Sequence, residues 1–288
     1  MKLALGQAYN GLHKIFKQKL MPLGVDSFYF NIDSPNWKKV ETKKPNAYIW
    51  LADNKEERYS EVHNKIHFIE HVFKKPIFPD MNMYFTEGNK VLQYQVLSYL
   101  KVPMPKTFIT SSKKEALKYI SKAKYPFVLK DPYGYGGIHV FKITNKKMAR
   151  QFVNKIFSSG LKTGHSLCKD IFYAQEYIST DKDLRIITVG NKIAAAYWRS
   201  NPNNWKHNLQ QGGQVSFDNI PALALKLCRS ISKKMKFHWM GYDLLIHKKN
   251  VKMIEYSATV RVKGAEIGGY DIRDTQTKYI IDYLKKYE

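Results

Sequence analysis

Apolar positions along this chain keep two rhythms, an alternation of two and a helical period, and the places where one gives way to the other outline its elements. Runs at Leu3–Leu5, Phe28–Ile32 and Ala47–Leu51 read as strands, and a helix is expected near residues 56–73. "KKPIFPDMNMY" follows, and its prolines mark it as a loop that closes a first segment at about residue 85. In "TEGNKVLQYQVLSYLKV" the apolar residues Val91, Leu92, Val96, Leu97 and Leu100 keep a helical period after a Thr/Glu-rich start. "VPMPKTFIT" is then extended, and "SSKKEALKYISKA" is a capped helix with a mostly polar face.

Next comes an apolar run, Phe127-Val128-Leu129, that ends in Lys130. A Gly-rich segment, Gly134-Tyr135-Gly136-Gly137, leads into a second alternation through Ile138, Val140, Phe141 and Ile143. The helix "NKKMARQFVNKIF" and the strand "FYAQEYI" succeed this hairpin. "DLRIITVGNKIAAAYWRS" is a second hairpin, turned at Gly190-Asn191. After the polar loop "NPNNWKHNLQQGG" a helix spans roughly Ala222–Met235. "GYDLLIH" and "KMIEYSA" are the last strands, and "DTQTKYIIDYLKKY" is a closing helix. Helices alternate with strands, several of them antiparallel, so the expected class is α+β.

Composition narrows this only a little. At 288 residues the chain is one large domain or two or three small ones, and 44% apolar residues exclude wholesale disorder. No apolar run approaches the ~20 residues that span a bilayer. The N-terminal apolar stretch is too short for a secretory signal. Cys168 and Cys228 stand far apart, outside any C-x-x-C pair, and read as buried thiols; a cytoplasmic setting is expected. The charge of +24 is the departure from the ordinary. It favours anionic partners, but the basic residues are spread along the chain, so a dedicated nucleic-acid arm is not favoured.

Lys130 and the glycines after it raise the question of a phosphate site, because a Gly-rich turn can wrap phosphate oxygens in backbone N–H groups. A plain hairpin turn is the other reading. The pattern is no Walker A loop, and the glycines precede a strand rather than open a helix. Backbone groups at the strand edge Gln175-Glu176-Tyr177-Ile178 could pair with an adenine. Asp183 and Arg185 share one strand face, and Arg199 ends the return strand. Asp243 and Glu255 fall on consecutive strands where they can lie side by side, an arrangement suited to Mg²⁺ with phosphate oxygens.

Taken in order, these elements resemble the ATP-grasp ligases, and most of all their RimK-type branch, over about residues 86–288. The resemblance implies an ATP-grasp fold of two α+β subdomains gripping ATP, with residues 106–178 as the lid-bearing part, preceded by a small α/β N-terminal domain at 1–85. It implies that Lys90 and Lys130 hold ATP phosphates and that Gly134, Gly136 and Gly137 belong to a flexible lid. Gln175, Glu176, Tyr177 and Ile178 would hold the adenine, with Asp183 near the ribose or the substrate. "KHNLQQGG" is similar to the family's "RSNLHRGG", which would bring Lys206, His207 and Asn208 to the phosphates. Asp243 and Glu255 would ligate Mg²⁺, one ion or two.

The implied activity is carboxylate–amine ligation through an acyl phosphate, on a carboxylate and an amine substrate of which one is an anionic acceptor: a peptide, a protein or an acidic glycan. Arg199 would stabilise the transferring phosphoryl group and Arg185 would hold the substrate carboxylate. Relatives of this kind often form homo-oligomers. One departure stands out. Where the family has E-x-N and then a Pro-Gly stretch, this chain has Glu255-Tyr256-Ser257 and then Ala258-Thr259-Val260-Arg261, leaving Ser257 as the candidate second-metal ligand. That departure motivates the alternative of a non-catalytic ATP- or polyanion-binding protein on the same fold. Apart from all this, His63, His67 and His71 share one helical face, and a hydrogen-bonded, partly buried surface is the expectation there rather than a metal site.

Overall fold

The computed structural model describes residues 1–8, 11–52, 59–134, 137, 139–163, 166–207, 209, 212–248 and 250–286. Strands β1 (Lys2–Gly6), β2 (Asp26–Phe30), β3 (Ala47–Ile49) and β4 (Ile77–Phe78) form a parallel sheet in the order β2-β1-β3-β4. Helices α1 (Leu12–Leu20) and α2 (Tyr59–His71) belong to the same part of the chain. "KKPIFPDMNMY" is not a plain loop. Between Pro76 and Pro79 lies the short strand β4, and Asp80 then caps helix α3 (Met81–Thr86) by accepting from Met83 N at 2.9 Å. The prolines set the ends of an edge strand, a place where a missing N–H costs least.

Helix α4 (Lys90–Tyr99) starts where Asn89 Oδ1 accepts from Leu92 N at 3.1 Å, so the cap is Asn89 rather than the Thr/Glu stretch before it. A second sheet contains β5 (Thr107–Thr110), β6 (Phe127–Lys130) and β7 (Val140–Ile143). Helices α5 (Lys113–Lys122) and α6 (Lys146–Ile156) are capped by Ser112 and Asn145, and bury Ala116, Ile120, Ala149, Val153 and Ile156. After α6 comes a small hairpin, β8 (Leu161–Thr163) with β9 (Ser166–Cys168), whose three-residue strands are too short to show an alternation. Strand β10 (Phe172–Glu176) then inserts to give the antiparallel order β5-β10-β6-β7.

The third sheet is antiparallel, in the order β13-β12-β11-β14-β15: β11 (Lys182–Val189), β12 (Lys192–Ser200), β13 (Gln214–Ser216), β14 (Trp239–His247) and β15 (Asn250–Ser257). Gly190 turns the first hairpin at φ 56°, and a Cβ there would lie 2.8 Å from the Tyr279 ring, so both backbone and space call for glycine. Helices α7 (Ala222–Met235), α8 (Lys263–Ile267) and α9 (Ile272–Leu284) complete the chain.

The burial pattern joins the first sheet to the third. Leu3 and Leu5 of β1 enter one core with Leu184, Trp239, Ile280 and Leu284, while Ala4 turns to another core with Tyr48, Trp50 and Ile66. Each large side chain in such a core contributes about 1.5–3 kcal/mol on burial. The second sheet packs separately under α5 and α6. Cys168 and Cys228 are buried free thiols. Among the described residues no helix is long and apolar enough to cross a membrane.

Candidate active site

A cavity opens between the second and third sheets, and most of the residues singled out in the sequence line it. From the second sheet and its hairpin come Lys130, Gly134 and Gly137. The end of β10 and the residues after it give Gln175, Glu176, Tyr177 and Ile178. The third sheet contributes Asp183, Arg199, Asp243 and Glu255, and the loop after β12 adds Lys206 and His207. Lys90 closes the wall from the first turn of α4. Gly136 and Asn208 lie outside the described residues.

Strand register explains why the third-sheet residues meet. Asp183 pairs with Arg199 across β11 and β12, and Arg185 with Asp243 across β11 and β14. Asp243 stands opposite Glu255 because β15 carries one extra residue, Ile254, at a bulge. Arg199 donates to Asp183 from Nε at 2.7 Å and from Nη2 at 2.9 Å, and its Nη2 lies 3.0 Å from Asp243 Oδ1. Arg185 Nε lies 2.7 Å from the same Oδ1, with Nη2 donating to Oδ2 at 3.3 Å. Burial alone would lower the pKa of the Arg199 guanidinium, but Asp243 and Asp183 beside it raise it above its ordinary value. The Asp183 carboxyl is shifted up by burial, with Arg199 opposing. Two guanidinium groups thus balance two carboxylates in a quartet held from both sides.

Arg185 and Ser257 do not line the cavity. The guanidinium of Arg185 braces Asp243, and the hydroxyl of Ser257 donates to Glu87 Oε1 at 2.9 Å and approaches Thr259 O at 3.2 Å. His67 and His71 are exposed, their rings 4.4 Å apart, rather than partly buried. His63 is half-buried against the Tyr84 carbonyl at 3.4 Å. None of these histidines belongs to the cavity.

Lys130 is buried at 5% exposure and makes no hydrogen bond or contact ion pair among the described residues. Burial lowers its ammonium to about 8, while the field of Glu255 acts in the opposite sense. A buried cation of this kind is costly until an anion meets it, which fits a nucleotide phosphate. Lys90 Nζ donates to Gly134 O, and Lys206 Nζ to Gly137 O at 2.8 Å, so lysines from α4 and from the loop after β12 both tether the Gly-rich hairpin. For Mg²⁺, Asp243 and Glu255 offer adjacent carboxylates. No cluster of three or more His, Cys, Asp or Glu side chains suited to a metal occurs among the described residues. A pair of carboxylates fits Mg²⁺, which takes its remaining ligands from phosphate and water.

Sequence reading missed several residues of this wall. Asp131 and His139 bond to each other inside the hairpin, and Asp131 Oδ1 also accepts from Tyr133 N at 2.9 Å. The only signal for Asp131 was its place next to Lys130. Trp205 stands edge-on to Tyr177, with ring centroids 5.9 Å apart, and Lys142 lies 4.0 Å over the Tyr177 ring. Leu245 and Ile254 add apolar surface.

A family model, the RimK-like ATP-grasp domain, matches residues 87–281. The chain belongs to this family. Among similar proteins, the tetrahydromethanopterin:alpha-L-glutamate ligase of Methanocaldococcus jannaschii is 28% identical over 210 residues, covering 69% of this chain and 67% of that protein. The alpha-aminoadipate–LysW ligase LysX of Saccharolobus solfataricus is 27% identical over 203 residues, covering 68% and 72%. In fold, the D-alanine–D-alanine ligase of Bacillus anthracis complexed with ATP superimposes with a TM-score of 0.72 at 11% identity, over 100% of this chain and 98% of that one. This RimK-like protein is an ATP-dependent carboxylate–amine ligase of the ATP-grasp type, forming a C–N bond, and the non-catalytic alternative falls away.

Proposed function

We propose that the chain activates a carboxylate as an acyl phosphate and passes the acyl group to the amine of an acidic α-amino acid, or the reverse pairing in which the acidic partner is activated. The observation that carries this reading is Lys130, a buried ammonium without a protein partner among the described residues, in the wall that also holds Arg199, Asp243 and Glu255. The two similar ligases above, named for glutamate and α-aminoadipate, support an acidic amino acid as one substrate. The net charge of +24 supports an anionic acceptor such as a peptide or protein.

In this reading the carboxylate oxygen attacks the γ-phosphorus, ADP leaves, and the amine then displaces phosphate from the acyl carbon. Lys90, Lys130 and Lys206 balance the phosphate charge, and Arg199 faces the transferring group while Asp183 and Asp243 fix its orientation. Mg²⁺, held by Asp243 and Glu255, would supply Lewis-acid polarisation of the phosphoryl oxygens. Arg185 acts by holding Asp243 rather than by gripping substrate. The test is ADP release with glutamate or α-aminoadipate against a panel of carboxylate-bearing peptides, with mass spectrometry of the product. ADP release that requires both substrates, with loss of one water from their summed mass, supports the proposal. ATP turnover that no pair stimulates would refute it.

A further inference from the structure

The carboxylate of Glu87 is buried where α3 ends, three residues before Lys90, and it takes three hydrogen bonds from the segment just past Glu255. Oε1 accepts from the Ser257 hydroxyl at 2.9 Å. Oε2 accepts from Thr259 N at 3.1 Å and from Ala258 N. Ser257 lies two positions beyond Glu255, hence on the same side of β15, where a side-chain oxygen would be the natural third donor for a second cation. Its hydroxyl is instead drawn to Glu87, and the residue forms no part of the cavity wall.

The other carboxylates of the wall are committed as well. Asp131 holds His139 and Tyr133 N, Asp183 holds Arg199, and Glu176 takes Lys252 at 3.2 Å and Lys106 N at 3.1 Å. Asp243 is itself held by Arg185 and Arg199, but strand register sets it opposite Glu255, and the described residues provide no cluster of three His, Cys, Asp or Glu side chains suited to a metal.

We infer that this enzyme works with a single divalent cation per active site, held between Asp243 and Glu255, and that Glu87 anchors the Ser257 end of β15 in place of a second ion. The inference rests on nucleotide binding in the cavity. Two carboxylates and the phosphate oxygens complete one octahedral ion; a second would have to be held by nucleotide and water almost alone.

The experiment counts Mn²⁺ bound to the full chain, by electron paramagnetic resonance, in the presence of saturating ADP or a non-hydrolysable ATP analogue. One Mn²⁺ per chain, without the dipolar broadening of a close pair, is expected. Ser257→Ala should leave both the count and the Mn²⁺ affinity within two-fold of the wild type. Two ions per chain, or a ten-fold loss of affinity in Ser257→Ala, would overturn the inference. If ADP itself fails to bind by calorimetry, the nucleotide-site reading falls and takes this inference with it. ADP binding that recruits two ions refutes the single-cation inference alone.

Discussion

Arg199 holds both carboxylate oxygens of Asp183, at 2.7 and 2.9 Å, and with the same Nη2 reaches to 3.0 Å from Asp243. A planar fork is required for this double engagement, which a lysine cannot reproduce. Arg199→Lys should therefore keep the charge but lose the geometry. We expect kcat to fall by about 10²-fold or more, with a smaller change in KM for ATP. Steady-state kinetics on the folded variant check this, and a kcat within three-fold of the wild type would remove Arg199 from the chemistry.

Lys130 provides a pH signature. Its folded-state value is about 8, below the ordinary 10.5, because burial penalises the ammonium. Between these values the folded chain holds fewer protons at this site than the unfolded chain. For this group, then, stability rises with pH across that window and is lost as pH falls through about 8. Phosphate binding responds in the opposite sense, since it needs the charged form. The kcat/KM for ATP should descend above pH about 8, and Lys130→Met should lower it at all pH values and flatten that limb.

Removing Glu87 strands two backbone donors. Glu87→Ala leaves the Ala258 and Thr259 N–H groups without this acceptor and the Ser257 hydroxyl to the Thr259 carbonyl at 3.2 Å, at a cost of roughly 2–4 kcal/mol. Urea or thermal unfolding measures this, and Glu87→Gln should lose less.

Lys206 tethers the Gly-rich hairpin through Gly137 O at 2.8 Å. Lys206→Met should raise KM for ATP several-fold, because the loop after β12 then closes on the phosphates without its charge or its tether. An unchanged KM would show that the contact is incidental.

Residues 106–178 carry fourteen Lys and Arg against four Asp and Glu, a higher positive density than the rest of the chain. Most of these cations are exposed on α5 and α6, including Lys113, Lys118, Lys146 and Arg150. KM for an acidic peptide substrate should rise with ionic strength, while KM for a neutral analogue stays flat. Titration with salt over the range around 0.1 M distinguishes them.

Much of the cavity wall could be read from sequence because it rests on short-range rules. Lys130 ends an apolar run, Asp183 and Arg185 keep an alternate spacing, and Asp243 and Glu255 flank a hairpin turn. What sequence could not reveal depends on longer reach. The pairing of Asp243 with Glu255 needs the bulge at Ile254, which alternation does not encode. Glu87 is an isolated acid 170 positions from Ser257. The Asp131–His139 bond forms only once the hairpin has closed around it.

Strand β1 has a bearing on the order in which the chain can take shape as it leaves the ribosome. Leu3, Leu5, Phe16 and Leu20 share their core with Ile280, Ile281 and Leu284, which are translated long after them, and Lys19 of α1 is ion-paired with Asp271 at the start of α9. The N-terminal sheet thus emerges with one face bare, and that face stays wet until α9 has been translated. Strand β1 is finished by helix α9, so a nascent chain halted short of α9 should expose this surface to chaperones.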